Sequence, residues 1–299
     1  MSLETKSEDL AQAVIGRMKD CEDPRFKEVM TSLISHLHAF AREVKLTPDE
    51  WMAGIQFLTA TGQKCDEKRQ EFILVSDTLG LSMQVVGIAQ TKAIEANKGA
   101  ALATPATEAT VQGPFFWEGA PQLPMNANLQ GDLPGVPTYY SGVVTDLAGK
   151  PIAGCKLDVW SGDTEGFYDL QKGPDAPMQL RAQFTTEADG RYGFWSIKPS
   201  KYPVPVDGPG GVMLLKMGRH PYRPGHMHTM LRAEGYAPLI THLFVSDSEY
   251  LDSDAVFGVR ESLIVDFKPH AAGSVSPDGW TLNTPWQSCE YDFKMVPAA

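Results

Sequence analysis

Apolar positions change their period about a third of the way along the chain. From Phe26 they recur at Val29, Met30, Leu33, Ile34, Leu37, Phe40, Ala41 and Val44. Spacings of three and four predict an amphipathic helix. A second helix is signalled by Thr47-Pro48-Asp49-Glu50. Thr47 can cap, Pro48 suits the first helical position, and Glu50 completes a capping box. Trp51, Ile55 and Leu58 then share one face. A third helix is predicted from Asp66 to Asp77 and another from near Ser82, so roughly the first 100 residues read as helical. The most apolar long stretch, residues 72–89, is interrupted by Asp77 and Gln84. A membrane span needs about 20 apolar residues, so this stretch reads as a buried helix.

After Thr104, Pro and Gly become frequent and the period shortens to two. Residues 145–160 read strand, turn, strand. Residues 185–195 place a Glu-Ala-Asp-Gly turn between alternating segments. Short strands continue to the C-terminus, which predicts a mainly antiparallel β-sandwich. The expected class is α+β, with a helical region over 1–104 and a sandwich over 105–299. The Pro-rich run 121–137 reads as an ordered loop.

Composition adds a few exclusions. With 299 residues, 42% hydrophobic and 21% charged, the chain has the make-up of a globular protein with a substantial core. A formal net charge of -11 disfavours nucleic acid or an anionic membrane as partner. The N-terminal run lacks an apolar signal core, so the expected location is cytoplasmic. Cys21, Cys65, Cys155 and Cys289 are far apart, without a CxxC pair, and read as reduced thiols.

The chemistry begins at His226-Met227-His228. Side chains at i and i+2 of a strand point to one face, so two imidazoles there can chelate a metal; a solvent-facing polar edge is the plainer alternative. His242 or His220 could supply a third ligand. Tyr168 in DTEGFYD and Tyr202 before Pro203-Val204-Pro205 also stand out. Tyrosinate is a hard anionic ligand, and with imidazole it suits trivalent iron better than zinc. Taken singly, each Tyr is more often a packed aromatic with its hydroxyl on a backbone group, and spacing does not promote it to a ligand.

The run SKYPVPVDGPGGVMLLKMGRHPYRPGHMHTML, with DVWSGDTEGFYD and ATEATVQGPFF, resembles the intradiol ring-cleaving catechol dioxygenases over nearly the whole chain. The resemblance implies one ferric ion per subunit, held by Tyr168, Tyr202, His226 and His228, with hydroxide as a fifth ligand. Tyr202 and His228 would be axial, and Tyr168 and His226 equatorial. Arg223 would stabilise the bound, electron-rich diol. Tyr202 would take a diol proton and leave the iron, and O2 would open the ring to a muconic-type diacid. His242 falls where catechol-cleaving members commonly carry Gln, and is expected to do similar polar work in catalysis. The helices would pair two subunits into a homodimer and enclose an apolar tunnel for a phospholipid.

EYLDSDAVFGVRESLIVDF and EATVQGPFF most resemble the hydroxyquinol-cleaving branch. Its pocket positions map onto Gln84, Gly87, Val111, Gln112, Gly113, Pro114, Val204, Pro205 and Val256. Branch members carry an apolar residue at Gln84, an acid at Gly87 and an aromatic at Gln112. The substitutions predict a roomier, more polar pocket, unless the glutamines face water. Catechol or a substituted catechol is the alternative substrate. Two readings of other classes remain: a non-catalytic prealbumin-like binding module, and a zinc hydrolase built on His226, His228 and His242.

Overall fold

The computed structural model describes residues 3–67, 69–97, 105–173 and 175–298. The chain divides into two compact units, Met1–Ala60 and Thr61–Ala299. The boundary expected at 104 lies outside the described residues.

The first unit holds α1 (Leu3–Gly16), α2 (Pro24–Glu43) and most of α3 (Pro48–Lys64). Asp23 caps α2 by accepting from the backbone N–H of Arg25 at 2.9 Å and Phe26 at 3.0 Å. The capping box at α3 forms as its residues predict. Thr47 N donates to Glu50 Oε2 at 2.9 Å, and Glu50 N donates to Thr47 Oγ1 at 3.3 Å. No described residue of α2 is buried. Phe26, Val29, Leu33, Leu37 and Phe40 are exposed, as are Trp51, Ile55 and Leu58 on α3.

In the second unit, the end of α4 (Glu71–Thr78) and the start of α5 (Leu81–Ala96) fall within a residue of the expected limits, but the start of α4 does not. The helix read from Asp66 starts only at Glu71. Asp66 and Arg69 close a loop on each other instead, through Asp66 N to Arg69 O at 3.0 Å and Arg69 N to Asp66 Oδ1 at 2.7 Å. Residues 72–89 are not one buried helix. Gly80 takes φ +76, a left-handed conformation that glycine adopts without a Cβ penalty, and α4 and α5 meet there at 79°. Leu74, Asp77 and Thr78 are buried on α4, but only Met83 on α5. No single described helix is long and apolar enough to cross a membrane.

The strands form two five-stranded sheets. One has β10 (Lys268–His270), β11 (Trp286–Glu290), β1 (Pro137–Asp146), β12 (Phe293–Met295) and β4 (Arg191–Ile197). The other runs β3 (Arg181–Thr185), β2 (Lys156–Trp160), β7 (His226–Arg232), β8 (Leu239–Val245), β9 (Ile264–Val265). A separate two-stranded ribbon joins β5 (Tyr202–Pro203) to β6 (Tyr222–Arg223), and α6 (Pro209–Lys216) lies between them in sequence. The core fills the space between the sheets, with Tyr140, Val144 and Phe194 from one and Leu157, Phe184, Met227 and Leu243 from the other. The 121–137 run is ordered, as expected: Leu123, Asn126 and Leu129 donate to backbone carbonyls of Gln183, Gly193 and Trp195.

The turn after β1 closes a short antiparallel bridge, Thr145 with Pro151, but the strands on either side of each turn segment do not pair with each other. β1 and β2 belong to opposite sheets, and so do β3 and β4. Turn residues reverse the chain, but which sheet receives the next strand is decided by core packing. The pairing is also mixed, because β11 and β12 run parallel to β1 in one continuous register, from Thr138↔Gln287 to Asp146↔Met295.

That register is interrupted at Tyr291-Asp292, opposite Gly142. A Cβ at Gly142 would overlap the Tyr291 carbonyl, which accepts from the Tyr192 hydroxyl at 2.7 Å. Gly142→Ala is therefore expected to cost about 1–3 kcal/mol. Urea unfolding at neutral pH checks this.

Candidate active site

β7 carries His226 and His228 on one face, while Met227 between them enters the inter-sheet core. This is the expected period-two placement. Register then fixes the neighbours: Trp160 of β2 and His242 of β8 both lie opposite His228. Tyr202 pairs with Arg223 across the ribbon. Tyr168 enters from the loop before a 3-10 turn, Asp169–Lys172.

The loop is held from several sides. Tyr168 N donates to Gln171 Oε1 at 2.9 Å. Asp169 is buried and ion-paired with Arg181, whose guanidinium also donates to the Phe115 carbonyl at 3.2 Å. Phe115 in turn stacks on Tyr168, with centroids 4.5 Å apart. Gly166 lies against Tyr202, where a Cβ would collide with the Tyr202 Cβ. Close approach of the two tyrosine segments therefore needs a glycine at that point.

The five expected side chains converge, all of them buried. The Tyr168 hydroxyl is 2.9 Å from His228 Nε2, and His226 Nε2 is 3.1 Å from the same nitrogen. Arg223 Nη1 lies 3.2 Å from His226 Nε2 and 3.4 Å from the Tyr202 hydroxyl. His226 Nδ1 is 2.8 Å from the Pro224 carbonyl. A carbonyl only accepts, so Nδ1 carries the proton and Nε2 presents its lone pair to the cluster. Burial, then the Arg223 charge, pushes His226 down to about 3, and burial holds His228 and His242 well below their usual range. Burial thus favours the uncharged ring at all three positions. Burial, then the Tyr202 phenol, raises Tyr168 well above the usual tyrosine range, while Arg223 and Arg181 pull the other way. Two phenols and two imidazole lone pairs facing one small volume suit a hard, highly charged cation, which would ionise the phenols.

His242 joins this group in a different manner. Its Nε2 is 2.8 Å from His228 Nδ1, on the far side of that ring, and its Nδ1 is 3.0 Å from Thr110 Oγ1. The potential ligand atoms of His226, His228 and His242 lie within 4.8 Å of one another. His220 instead packs beside Tyr222 and Tyr250.

The expected pocket positions separate. Val111, Val204 and Val256 form one buried apolar cluster with Leu74 and Met83. Gly113 lies beside His228 Cε1. Pro114, Val204 and Pro205 line a hollow of about 830 Å³, together with Phe115, Arg69 and Asp207. Gln84 and Gly87 line a different hollow, of about 410 Å³, with Phe257 and Arg260. Gln84, Gly87 and Gln112 are all exposed.

Two acids that matter were not legible in the sequence. Asp254 accepts from Arg223 Nε at 2.9 Å and Nη2 at 3.2 Å, and from the backbone N–H of Gly258 at 2.9 Å. Burial opposes its charge, but Arg223 overrides this and holds it below the usual carboxylate range. Asp77 on α4 is buried, and its Oδ1 has no hydrogen-bond partner. Burial pushes it from 3.8 up to about 6, against the pull of Ser82 and Arg223. No spacing rule marks either residue, since LVSDTLG and DSDAVFG read as ordinary helix end and loop.

Two phenols, two imidazoles and one paired guanidinium are thus gathered in one buried cluster that could hold a metal ion. Residues 23–97 match the family model described as catechol dioxygenase N terminus, and residues 111–297 match that of the dioxygenases. A hydroxyquinol 1,2-dioxygenase of Rhizobium sp. (strain MTP-10005) is 48% identical, over 96% of this chain and 94% of that protein. The crystal structure of hydroxyquinol 1,2-dioxygenase from Pseudomonas putida DLL-E4 superposes with a TM-score of 0.85 at 43% identity, covering 99% of this chain and 100% of that one. Catechol 1,2-dioxygenase from Acinetobacter sp. ADP1 gives 0.80 at 26% identity, covering 97% and 92%. The chain belongs to the intradiol ring-cleavage dioxygenases, which are non-haem iron enzymes.

Two outcomes follow from the acids. Asp254→Asn should keep its metal but lose about ten- to a hundredfold in kcat, because Arg223 loses its charged anchor; metal analysis beside steady-state kinetics checks it. Asp77 binds a proton more tightly folded than unfolded, so its contribution to stability falls as pH rises from about 4 to about 6. Asp77→Asn should remove that fall and be more stable than wild type at pH 7, as measured by urea unfolding across pH.

Proposed function

We propose that this chain holds one ferric ion per subunit through Tyr168, Tyr202, His226 and His228. With O2 it cleaves hydroxyquinol between its adjacent hydroxyls, giving 3-hydroxy-cis,cis-muconate, the tautomer of maleylacetate. The observation that carries the metal assignment is the convergence of those four donors beside a buried arginine. The substrate assignment draws on the hydroxyquinol 1,2-dioxygenases to which the chain is similar, and on Asp77. A buried carboxylate oxygen without a partner, on the helix that also places Leu74 in the apolar wall, is a ready acceptor for a third ring hydroxyl. Discrimination is strong when a polar group would otherwise stay unpaired. Catechol and its substituted forms are the runner-up substrates.

Bound ferric iron supplies Lewis acidity and an acceptor for the electron density of the deprotonated diol. The rest is work for the chain. Tyr202 offers its phenolic oxygen to take one diol proton. Arg223 Nη1 faces that oxygen and sets a fixed positive charge where the diol becomes anionic. Burial of Arg223 opposes its charge, but Asp254 and the two phenols override this and keep the charge in place. The Pro224 carbonyl and the Trp160 ring, stacked on His228 with centroids 4.7 Å apart, hold the imidazoles in orientation. The hollow lined by Pro114, Val204 and Pro205 backs through Phe115 onto the two tyrosines, and is the proposed approach for the diol.

The exposed apolar residues of α2 and α3 support a homodimer formed through the helical region 1–104, with a phospholipid in the apolar space between subunits. A cytoplasmic location is consistent with the four thiols being free.

The test is a visible spectrum of the purified, ferric-loaded protein, before and after anaerobic addition of hydroxyquinol or catechol. A broad tyrosinate-to-iron band is expected, shifted by the preferred diol. Tyr168→Phe should lose most of that band, whereas a merely packed phenol would leave it unchanged. A protein that stays colourless after loading would sink the four-ligand assignment. A stronger response to catechol would move the substrate to the runner-up.

A further inference from the structure

Thr110, His242 and His228 form a hydrogen-bonded string inside the sandwich. Thr110 Oγ1 to His242 Nδ1 is 3.0 Å, and His242 Nε2 to His228 Nδ1 is 2.8 Å. All three residues are buried, so no bulk water competes for these groups. With neutral rings the string has two self-consistent proton arrangements. In one, Thr110 donates to His242 and His242 donates to His228 Nδ1. His228 then carries its proton on Nε2, pointing into the phenol–imidazole cluster, where it cannot ligate. In the other every bond reverses. His228 Nδ1 donates to His242 Nε2, His242 Nδ1 donates to Thr110 Oγ1, and His228 Nε2 presents a lone pair beside that of His226.

We infer that His242, backed by Thr110, is a positioning residue that accepts the Nδ1 proton of His228 and so holds its Nε2 lone pair on the metal. This rests on the proposed ligand role of His228. The site is shaped for a ring held in one orientation. Trp160 stacks on one face of His228, interplanar angle 13°. Cross-strand register places His242 directly opposite, so its ring is supplied by the sheet rather than by a loop. Ligating histidines are generally oriented by an acceptor on the other ring nitrogen. Here the acceptor is a second imidazole, and its own second nitrogen is committed to Thr110. That arrangement separates His242 from the ligands. Its Nε2 is engaged with the far side of His228, and ligation would break both bonds of the string.

The experiment compares ferric-loaded wild type with His242→Gln, His242→Leu, Thr110→Val and His228→Ala. Three quantities are read: thermal stability, the position of the tyrosinate-to-iron band, and the rate of iron loss to a chelator. Glutamine offers one acceptor and one donor and should restore the string. It should release iron within about threefold of wild type, whereas His242→Leu should fold, shift the band and release iron about ten- to a hundredfold faster. Thr110→Val should fall between them. Release from His242→Leu at the wild-type rate with an unshifted band would overturn the positioning role. So would loss of stoichiometric iron from both His242 variants, which would make His242 a ligand. His228→Ala that keeps its iron and its band would overturn the ligand reading, and this inference with it.

Discussion

A guanidinium sealed inside a protein must be paired, and the pairing of Arg223 with Asp254 is the interaction on which the site depends. Desolvating two charges costs several kcal/mol each unless further hydrogen bonds satisfy them. Asp254 meets this requirement by also accepting from its own loop's backbone. One ion pair therefore fixes the loop after β8, the short ribbon β5–β6 and, through Arg223 Nη1, the edges of both His226 and Tyr202. Without that charge, the cluster would be two phenols and three neutral imidazoles in a dry pocket, with nothing to favour an anionic diol.

The site is built with unequal rigidity. The imidazoles stand on β7, inside a sheet, with register partners on both sides. The phenols stand on a loop and on a two-residue strand. Those weaker supports are reinforced by side chains: Asp169 with Arg181 behind Tyr168, and Arg223 across from Tyr202. Placing both tyrosines next to each other requires Gly166 at the contact. Much of the polar detail in this half of the protein thus makes irregular backbone as well placed as a strand.

How much could be read beforehand follows from which rules are local. The His226–His228 pair was legible because strand period two is local, and so was the Thr47–Glu50 box. The tyrosines were noticed as hard ligands, but only the family resemblance promoted them to a set, since 34 positions in sequence say nothing about distance in space. The start of α4 lies later than the apolar period implies, and the reading of 72–89 as one helix fails at Gly80. A polar loop closure and one left-handed glycine outweighed a good apolar period. The strands near residues 145–160 and 185–195 were found, but their assignment to opposite sheets depends on the packed core. Gln84 and Gly87 line a hollow apart from that of Pro114 and Val204, and Asp77 is buried on α4. A lone aspartate at the end of a helix carries no sequence signal of burial.

The parallel pairing of β1 with the last two strands has a consequence for biogenesis. β1 lies at residues 137–146 and its partners at 286–295. While the chain is being made, β4 can cover one edge of β1 soon after it emerges. The other edge must wait until residues 286–295 have left the ribosome. An unpaired edge is a template for wrong association, and contacts of such sequence separation form slowly. Closure of this sheet is therefore a late event in folding, and a chain cut before β11 or β12 would leave the sandwich open at its central strand.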